Sequence, residues 1–155
     1  MRRLIVFAYG LAGYALFLLA FFYLAGFLAN FGVPKGIDDG ELTGTGAALF
    51  VNLGLIALFG IQHTIMARAG FKQKLAGIVS RSAERATFVL ATSVVLLLLY
   101  WQWRPMPQLI WHAESEWARV AWWAVYAFGL AIVLTSTFII DHFELFGLKQ
   151  VVRHL

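Results

Sequence analysis

The sequence contains no cysteine, few charged residues and only three prolines. Without cysteine the chain cannot form disulfides, hold an iron–sulfur cluster or Cys-ligated zinc, or use a thiol nucleophile. Charged residues make up 13% of the 155 residues, against roughly 25% in soluble domains. Hydrophobic residues make up 61%, and the mean hydropathy is +0.78. We therefore expect an all-α integral membrane protein. The sequence has no basic patch interleaved with aromatics, so nucleic acid is not an expected partner.

Four apolar runs are long enough to cross a bilayer, which takes about 20 residues as a helix. They cover about residues 4–31, 47–67, 86–103 and 120–140, and the fourth helix is predicted to continue to about 147. Together they predict one transmembrane domain over residues 1–155. The first run follows Arg2 and Arg3 and is too long for a cleaved signal peptide, so we expect it to remain as an anchor.

Basic residues alternate between the two sides that these four spans define. The N-terminus has Arg2 and Arg3, and the first loop has only Lys35. The second loop is the most basic part of the chain; it contains Arg68, Lys72, Lys74, Arg81 and Arg85. Cytoplasmic loops are enriched in lysine and arginine. The alternation predicts that both termini are cytoplasmic, and the lipid bilayer is the first partner.

Three ionisable residues follow the fourth apolar run, namely Asp141, His142 and Glu144. Ionisable groups at this depth are costly and usually have a partner or a function. If the helix continues through them, Asp141 and Glu144 share a face with Thr137, and His142 lies on the face of Thr135. We take Asp141, His142 and Glu144 as candidate catalytic residues.

Polar residues of two other helices are predicted to lie on the same side of the membrane. The second helix ends with Gln62, His63 and Arg68, and the third begins with Glu84 and Arg85. His63 joins the catalytic candidates, and the other four are candidate substrate-binding residues. No helix carries a His-x-x-x-His or Glu-x-x-His pair, so a metal site is not predicted.

The residues in the middle of each predicted span help to distinguish a transport path from a site at one membrane face. The middles of helices 1, 3 and 4 contain no charged residue, and the middle of helix 2 contains only the neutral amide of Asn52. This disfavours a continuous transport path across the membrane. A site at one membrane face fits better, reached by a soluble cofactor from the cytoplasm and by an apolar substrate from the lipid. The polar cluster would then supply a general base or hold the helices in register.

Four blocks of the sequence resemble the nurim-like membrane family. They are Gln62 to Arg68, Glu84 to Leu90, Trp101 to Pro105 and Ser136 to Val151. Within that family they look most like the bacterial methanethiol S-methyltransferases, whose relatives include NnrU proteins and isoprenylcysteine carboxyl methyltransferases. The resemblance covers essentially the whole chain.

The resemblance implies a methyltransferase of the bacterial cytoplasmic membrane. It would move the methyl group of S-adenosylmethionine onto a small thiol, turning methanethiol into dimethyl sulfide. Such an enzyme has to align the reactants, favour the thiolate and exclude water. Under this hypothesis His63 or His142 takes the thiol proton, and Arg68 or Arg85 stabilises negative charge.

The chain departs from the family pattern at its end. Family members continue beyond this point, with an Arg-His-Pro block and paired glutamates that bind the cofactor. Here Arg153 and His154 are followed by Leu155. We therefore expect the cofactor site beyond residue 155, and the chain to be the N-terminal part of a longer methyltransferase. Two alternatives stay open: a non-enzymatic scaffold of the nurim or NnrU kind, and a redox accessory protein with His63 and His142 as cofactor ligands.

Overall fold

The computed structural model describes residues 2–108 and 113–154, and these ranges form helices and loops without any strand. Four helices are long and apolar enough to span a membrane, as predicted. They are α1 (Arg2–Ala29), α2 (Thr45–Ala67), α4 (Arg81–Gln102) and α5 (Glu116–Ile140). Three short helices, α3 (Ala69–Leu75), α6 (His142–Leu145) and α7 (Leu148–Val152), lie between or after them. The protein is an integral membrane protein with an all-α fold.

Helices α1 and α4 form the centre of the bundle because small residues let them approach closely. A Cβ atom added at Gly13 would lie 3.3 Å from the carbonyl oxygen of Ala86, which is itself fully buried. One turn earlier, a Cβ atom at Gly10 would meet the side chain of Val151 in α7 at 2.6 Å. Close approach at small residues is the main way in which membrane helices gain packing energy. Both glycines thus serve the packing of α1.

The far end of the bundle, where α1 and α4 finish, is closed by hydrogen bonds to backbone groups. Lys35 donates from Nζ to the carbonyl oxygens of Trp101 and Trp103, at 2.6 and 2.9 Å. Asn52 in α2 is buried and bonds both backbone groups of Arg104, donating to its oxygen and accepting from its N–H. These contacts satisfy groups that the end of α4 would otherwise leave without partners.

Helix α5 is attached much more loosely than the other spans. None of its residues is buried, although α1, α2 and α4 all contain buried ones. Tyr126 joins it to α1 by donating to the carbonyl oxygen of Ala25 at 2.5 Å. Trp117, Trp122 and Trp123 are exposed, as an interfacial belt requires. Trp111, in the loop before α5, lies outside the described residues.

The main correction to the predicted helices concerns the fourth span. It was expected to run to about residue 147, but α5 ends at Ile140. Asp141 has a φ of 114°, a left-handed conformation that an α-helix cannot accommodate. Helix α4 also begins earlier than expected, at Arg81, which brings Arg81, Glu84 and Arg85 into its first turns.

Candidate active site

The break at Asp141 creates the local structure of the site. Its Oδ1 accepts a hydrogen bond from the Glu144 N–H at 3.1 Å, so the side chain caps α6. Its Oδ2 is ion-paired with Lys149 of α7. The Lys149 ammonium and the Glu144 N–H together hold the pKa of Asp141 below its usual value. The carboxylate is therefore already used in joining α5, α6 and α7.

His142, the next residue, is buried and both of its ring nitrogens lie at hydrogen-bond distance from a hydroxyl group. Nε2 lies 2.8 Å from the Tyr14 hydroxyl of α1, and Nδ1 lies 2.8 Å from Oγ1 of Thr137. The Thr137 hydroxyl donates its own proton to the carbonyl oxygen of Leu134 at 2.7 Å, so it accepts from the ring. The geometry assigns the proton to Nδ1 and makes Nε2 the acceptor of the Tyr14 hydroxyl.

Aromatic rings surround this histidine and keep it neutral. Phe138 stacks on the imidazole at 4.3 Å between ring centroids, and Phe146 lies 4.9 Å away. Burial in this setting lowers the pKa of His142. The helix break also corrects a predicted pairing: His142 was expected on the face of Thr135, and it contacts Thr137 instead because the chain turns at Asp141.

The turn after His142 is packed directly against the start of α4. Arg85 donates from Nε to the carbonyl oxygen of Leu145 at 2.7 Å. Gly147 has a φ of 85°, and a Cβ atom there would lie 2.8 Å from the Ala86 nitrogen. Only glycine combines this backbone conformation with such a close approach. Arg85 is thus positioned by the α6–α7 segment.

A cleft of about 520 Å³ opens between α3, the start of α4 and the α5–α7 turn. Its lining is mostly charged, and consists of Lys72, Arg81, Glu84, Arg85, Ile140, Asp141, Glu144, Leu145 and Gln150. We call this the basic-end cleft, since it lies where the basic second loop meets the bundle. It brings together four candidates of the sequence analysis: Glu84, Arg85, Asp141 and Glu144.

The charges on the lining of the basic-end cleft are not equally engaged. Asp141 is ion-paired with Lys149, and Glu144 lies 3.9 Å from Arg153. Within the described part of the chain, no ion pair involves Lys72, Arg81 or Glu84. These three charged side chains line the cleft without forming an ion pair in the described part of the chain.

Gln150 is another polar residue on the lining of the basic-end cleft. Its Nε2 donates to the carbonyl oxygen of Glu144 at 3.1 Å, which fixes the orientation of the amide. Its Oε1 is a buried atom that has no hydrogen-bond partner among the described residues. A buried acceptor without a donor carries a desolvation cost, so an ordered partner at this point would be stabilising.

The candidates on α2 lie beside the basic-end cleft and not on its lining. His63 is exposed, and its ring packs 5.0 Å from that of Phe88, above which the Arg85 guanidinium lies at 5.7 Å. Gln62 donates to Thr92 of α4 at 3.3 Å, and its Oε1 is buried without a partner in the described residues. Arg68 is exposed at the junction of α2 and α3.

Several residues of the site carried no usable signal in the sequence. Tyr14 is one of many aromatics in an apolar helix, and Lys72 and Arg81 contribute to the sequence analysis only as loop charges. Gln150 follows a short segment whose turn could not be foreseen. Among the described residues, no group of three or more His, Asp or Glu side chains is arranged to hold a metal ion.

Sequence comparison finds bacterial methyltransferases similar to this chain. The methanethiol S-methyltransferase of Mycobacterium tuberculosis is 50% identical over 151 residues, which is 97% of this chain and 62% of the relative. Methanethiol S-methyltransferase 1 of Bradyrhizobium diazoefficiens is 48% identical over 153 residues, 99% of this chain and 54% of the relative. The chain thus spans less than two thirds of the length of these curated relatives.

A more distant similarity connects the chain with an animal membrane protein. Nurim of Mus musculus is 29% identical over 116 residues, covering 70% of this chain and 44% of nurim. No family model and no solved structure matches the chain. The similarity to both groups supports a nurim-like family of membrane proteins close to the methanethiol S-methyltransferases.

Proposed function

We propose that the protein acts as a membrane methyltransferase that uses S-adenosylmethionine to convert methanethiol into dimethyl sulfide. The observation that carries this proposal is identity of 44–50% to three proteins named methanethiol S-methyltransferase, over nearly the whole chain. A polar cleft next to a lipid-exposed helix is consistent with a soluble cofactor meeting a small apolar substrate.

The residues of the basic-end cleft fit the proposed cofactor chemically. S-adenosylmethionine, when bound, supplies a methyl group made electrophilic by its positively charged sulfur. Its other charges are an ammonium and a carboxylate. The cleft offers cations from α3 and α4 for the carboxylate, and carboxylates together with the free Gln150 oxygen for the positive charges. The cleft would supply part of the cofactor site from within the described residues.

His63 is better placed than His142 to take the proton of the thiol. His142 uses both ring nitrogens in hydrogen bonds and is buried, so a thiol would have to displace Tyr14 to reach it. The ring of His63 is exposed, and no hydrogen bond to it occurs within the described ranges. A general base has to be within reach of the proton that it removes.

Arg85 is the better placed of the two candidate arginines for stabilising the thiolate. Arg85 lies over the ring of Phe88, against which His63 also packs, and it lines the basic-end cleft as well. It therefore connects the surroundings of His63 with the cleft. Arg68 is at the exposed junction of two helices. In this proposal Gln62 contacts the thiol, Glu84 faces the cofactor, and Asp141 and Glu144 keep the turn that positions Arg85.

The proposal is tested by measuring dimethyl sulfide in the headspace over the purified protein in lipid nanodiscs, supplied with methanethiol and S-adenosylmethionine. We expect product that depends on both substrates. The Mycobacterium tuberculosis relative, prepared identically, is the positive control. Product from the control alone would favour a membrane scaffold of the nurim kind.

Two histidine variants test the assignment of the base. His63→Gln should lower turnover by about 10²-fold or more, the scale of general-base catalysis, without loss of thermal stability. His142→Gln should lower thermal stability as well as turnover, since it disrupts the contact with Tyr14. Unchanged turnover in both variants would contradict a histidine base.

A further inference from the structure

The basic-end cleft carries an inference that goes beyond the overall reaction and rests on the proposed function. Its left-over charges are of both signs: Lys72 and Arg81 are cations, and Glu84 is an anion one helical turn after Arg81. A site for a simple anion would not need the carboxylate. A site for a simple cation would not need the arginine.

Charges of both signs on one lining suit an α-amino acid group, which carries a carboxylate and an ammonium on the same carbon. We propose that the basic-end cleft binds the amino-acid end of S-adenosylmethionine. Arg81 and Lys72 hold the carboxylate, and Glu84 together with Oε1 of Gln150 accepts hydrogen bonds from the ammonium. Arginine suits this task because its planar guanidinium can bind a carboxylate with two parallel hydrogen bonds.

The unpartnered oxygen of Gln150 supports the ammonium half of this assignment. Gln150 lines the cleft, its Nε2 is bonded to the carbonyl oxygen of Glu144, and its Oε1 is buried without a donor among the described residues. An ammonium group is a donor with no acceptor capacity, so it would satisfy this atom. The buried acceptor and the free carboxylate of Glu84 are two independent observations that call for a cationic donor.

The neighbouring ion pairs explain why the other carboxylates of the cleft do not serve equally well. Asp141 is held by Lys149 and caps α6, and Glu144 lies close to Arg153. Both are needed to keep the α6–α7 turn against Arg85. Glu84 is on the rigid first turns of α4 and is free to meet a ligand.

The cleft has a volume of about 520 Å³, which exceeds the needs of an amino-acid group alone. Its apolar lining residues are Ile140, the last residue of the exposed α5, and Leu145 of α6. The remaining space would accommodate the start of the sulfonium-bearing chain. The methyl group would thus be directed from the water-exposed cleft towards the membrane.

Two ligands that differ only in the amino-acid end test this assignment. S-adenosylhomocysteine carries the amino-acid group, and 5′-methylthioadenosine lacks it. Titration calorimetry of the protein in nanodiscs should show S-adenosylhomocysteine binding at least tenfold more tightly. Arg81→Gln and Glu84→Gln should each remove most of this preference and leave the affinity for 5′-methylthioadenosine unchanged, which also shows that the variants are folded.

Lys74→Gln is the matched control, since Lys74 is an exposed cation of α3 that does not line the cleft. It should leave the preference intact. Equal affinities of the two ligands, or no saturable binding of either, would overturn the inference. So would an Arg81→Gln variant that keeps the ligand preference but loses stabilisation by anionic phospholipid, because the cleft would then be a headgroup site.

The outcomes of this experiment separate the inference from the proposed function. Dimethyl sulfide formation combined with equal ligand affinities would overturn the assignment of the cleft and leave the methyltransferase proposal standing. A clear preference for S-adenosylhomocysteine without any methyl transfer to methanethiol would support the cleft and contradict that substrate.

Discussion

The two ends of the helical bundle use their polar residues in opposite ways. At the far end, Lys35 and Asn52 form hydrogen bonds with backbone groups at the end of α4 and just after it. At the basic end, Lys72, Arg81 and Glu84 line a cleft without an ion pair in the described part of the chain. The first arrangement closes a structure, and the second leaves charges ready for a ligand.

This difference teaches how to distinguish structural from functional polar residues in a membrane bundle. Both ends carry lysine, arginine and carboxylates, so residue type alone does not separate them. The partner does: a side chain bonded to a backbone group of a neighbouring segment holds that segment in place. His142 shows that the basic end also contains structural polar residues, because its ring connects α1 with the end of α5.

The largest loss of stability is expected when the hydrogen bonds at the far end are removed. Asn52→Leu removes two hydrogen bonds and leaves the N–H and carbonyl of Arg104 without their partners. Buried groups without partners cost roughly 1–3 kcal/mol each, so we expect a loss of about 2–6 kcal/mol in the free energy of unfolding. Thermal unfolding in detergent measures it. Leu53→Ala, at an exposed neighbouring position, should change stability little, and an equal loss in both variants would contradict the role of Asn52.

A smaller effect is expected from protonation of His142 at the basic end. Burial lowers its pKa in the folded state from the ordinary value of 6.5, so the unfolded chain binds the proton more readily. The stabilisation by the neutral ring is therefore present above about pH 6.5 and is lost as the pH falls towards the lower folded-state pKa. The melting temperature should drop between pH 7.5 and about pH 5.5 in the wild type.

One variant shows whether this pH dependence belongs to His142: His142→Gln should flatten the curve between these pH values. Asp141, whose pKa is also lowered, contributes only in a more acidic range, as the pH falls below its ordinary value of 3.8. A wild-type curve that is already flat would contradict a lowered pKa of His142 in the folded state.

The smallest effect is expected for an exposed ion pair at the basic end. Arg153 lies 3.9 Å from Glu144, and both side chains are at least half exposed. Pairs of this kind contribute about 0–1 kcal/mol because water screens them. Arg153→Gln should therefore shift the melting temperature by no more than a few degrees for a chain of this size. A loss comparable with that of Asn52→Leu would remove the distinction between the two ends.

Much of the fold was predictable because the bilayer imposes a simple rule on composition. Runs of about 20 apolar residues span it, and the four predicted spans are all found. Glycines three residues apart on a membrane helix are also typical of close packing, which is what Gly10 and Gly13 show. The orientation of the termini stays a prediction from the loop charges.

The candidate site was predictable only in part. From the sequence, Glu84, Arg85, Asp141 and Glu144 were expected at the same face of the membrane. The structure places all four on the lining of one cleft. It gave no reason to single out Tyr14, Arg81 or Gln150, whose importance depends on which residues they face. The roles assigned to His63, Gln62 and Arg68 remain predictions, and the structure locates these residues beside the cleft.

By itself, the sequence determined the class of protein, the number of spans and the family, because hydrophobicity and ordered blocks of residues are properties of the chain. Tertiary structure alone decided which polar residues are free. The left-handed backbone at Asp141 turns the chain, so that His142 meets Tyr14 and Thr137, and Gly147 lets the next turn approach α4. Both depend on contacts between residues that are distant in sequence, and a pattern within one helix cannot express them.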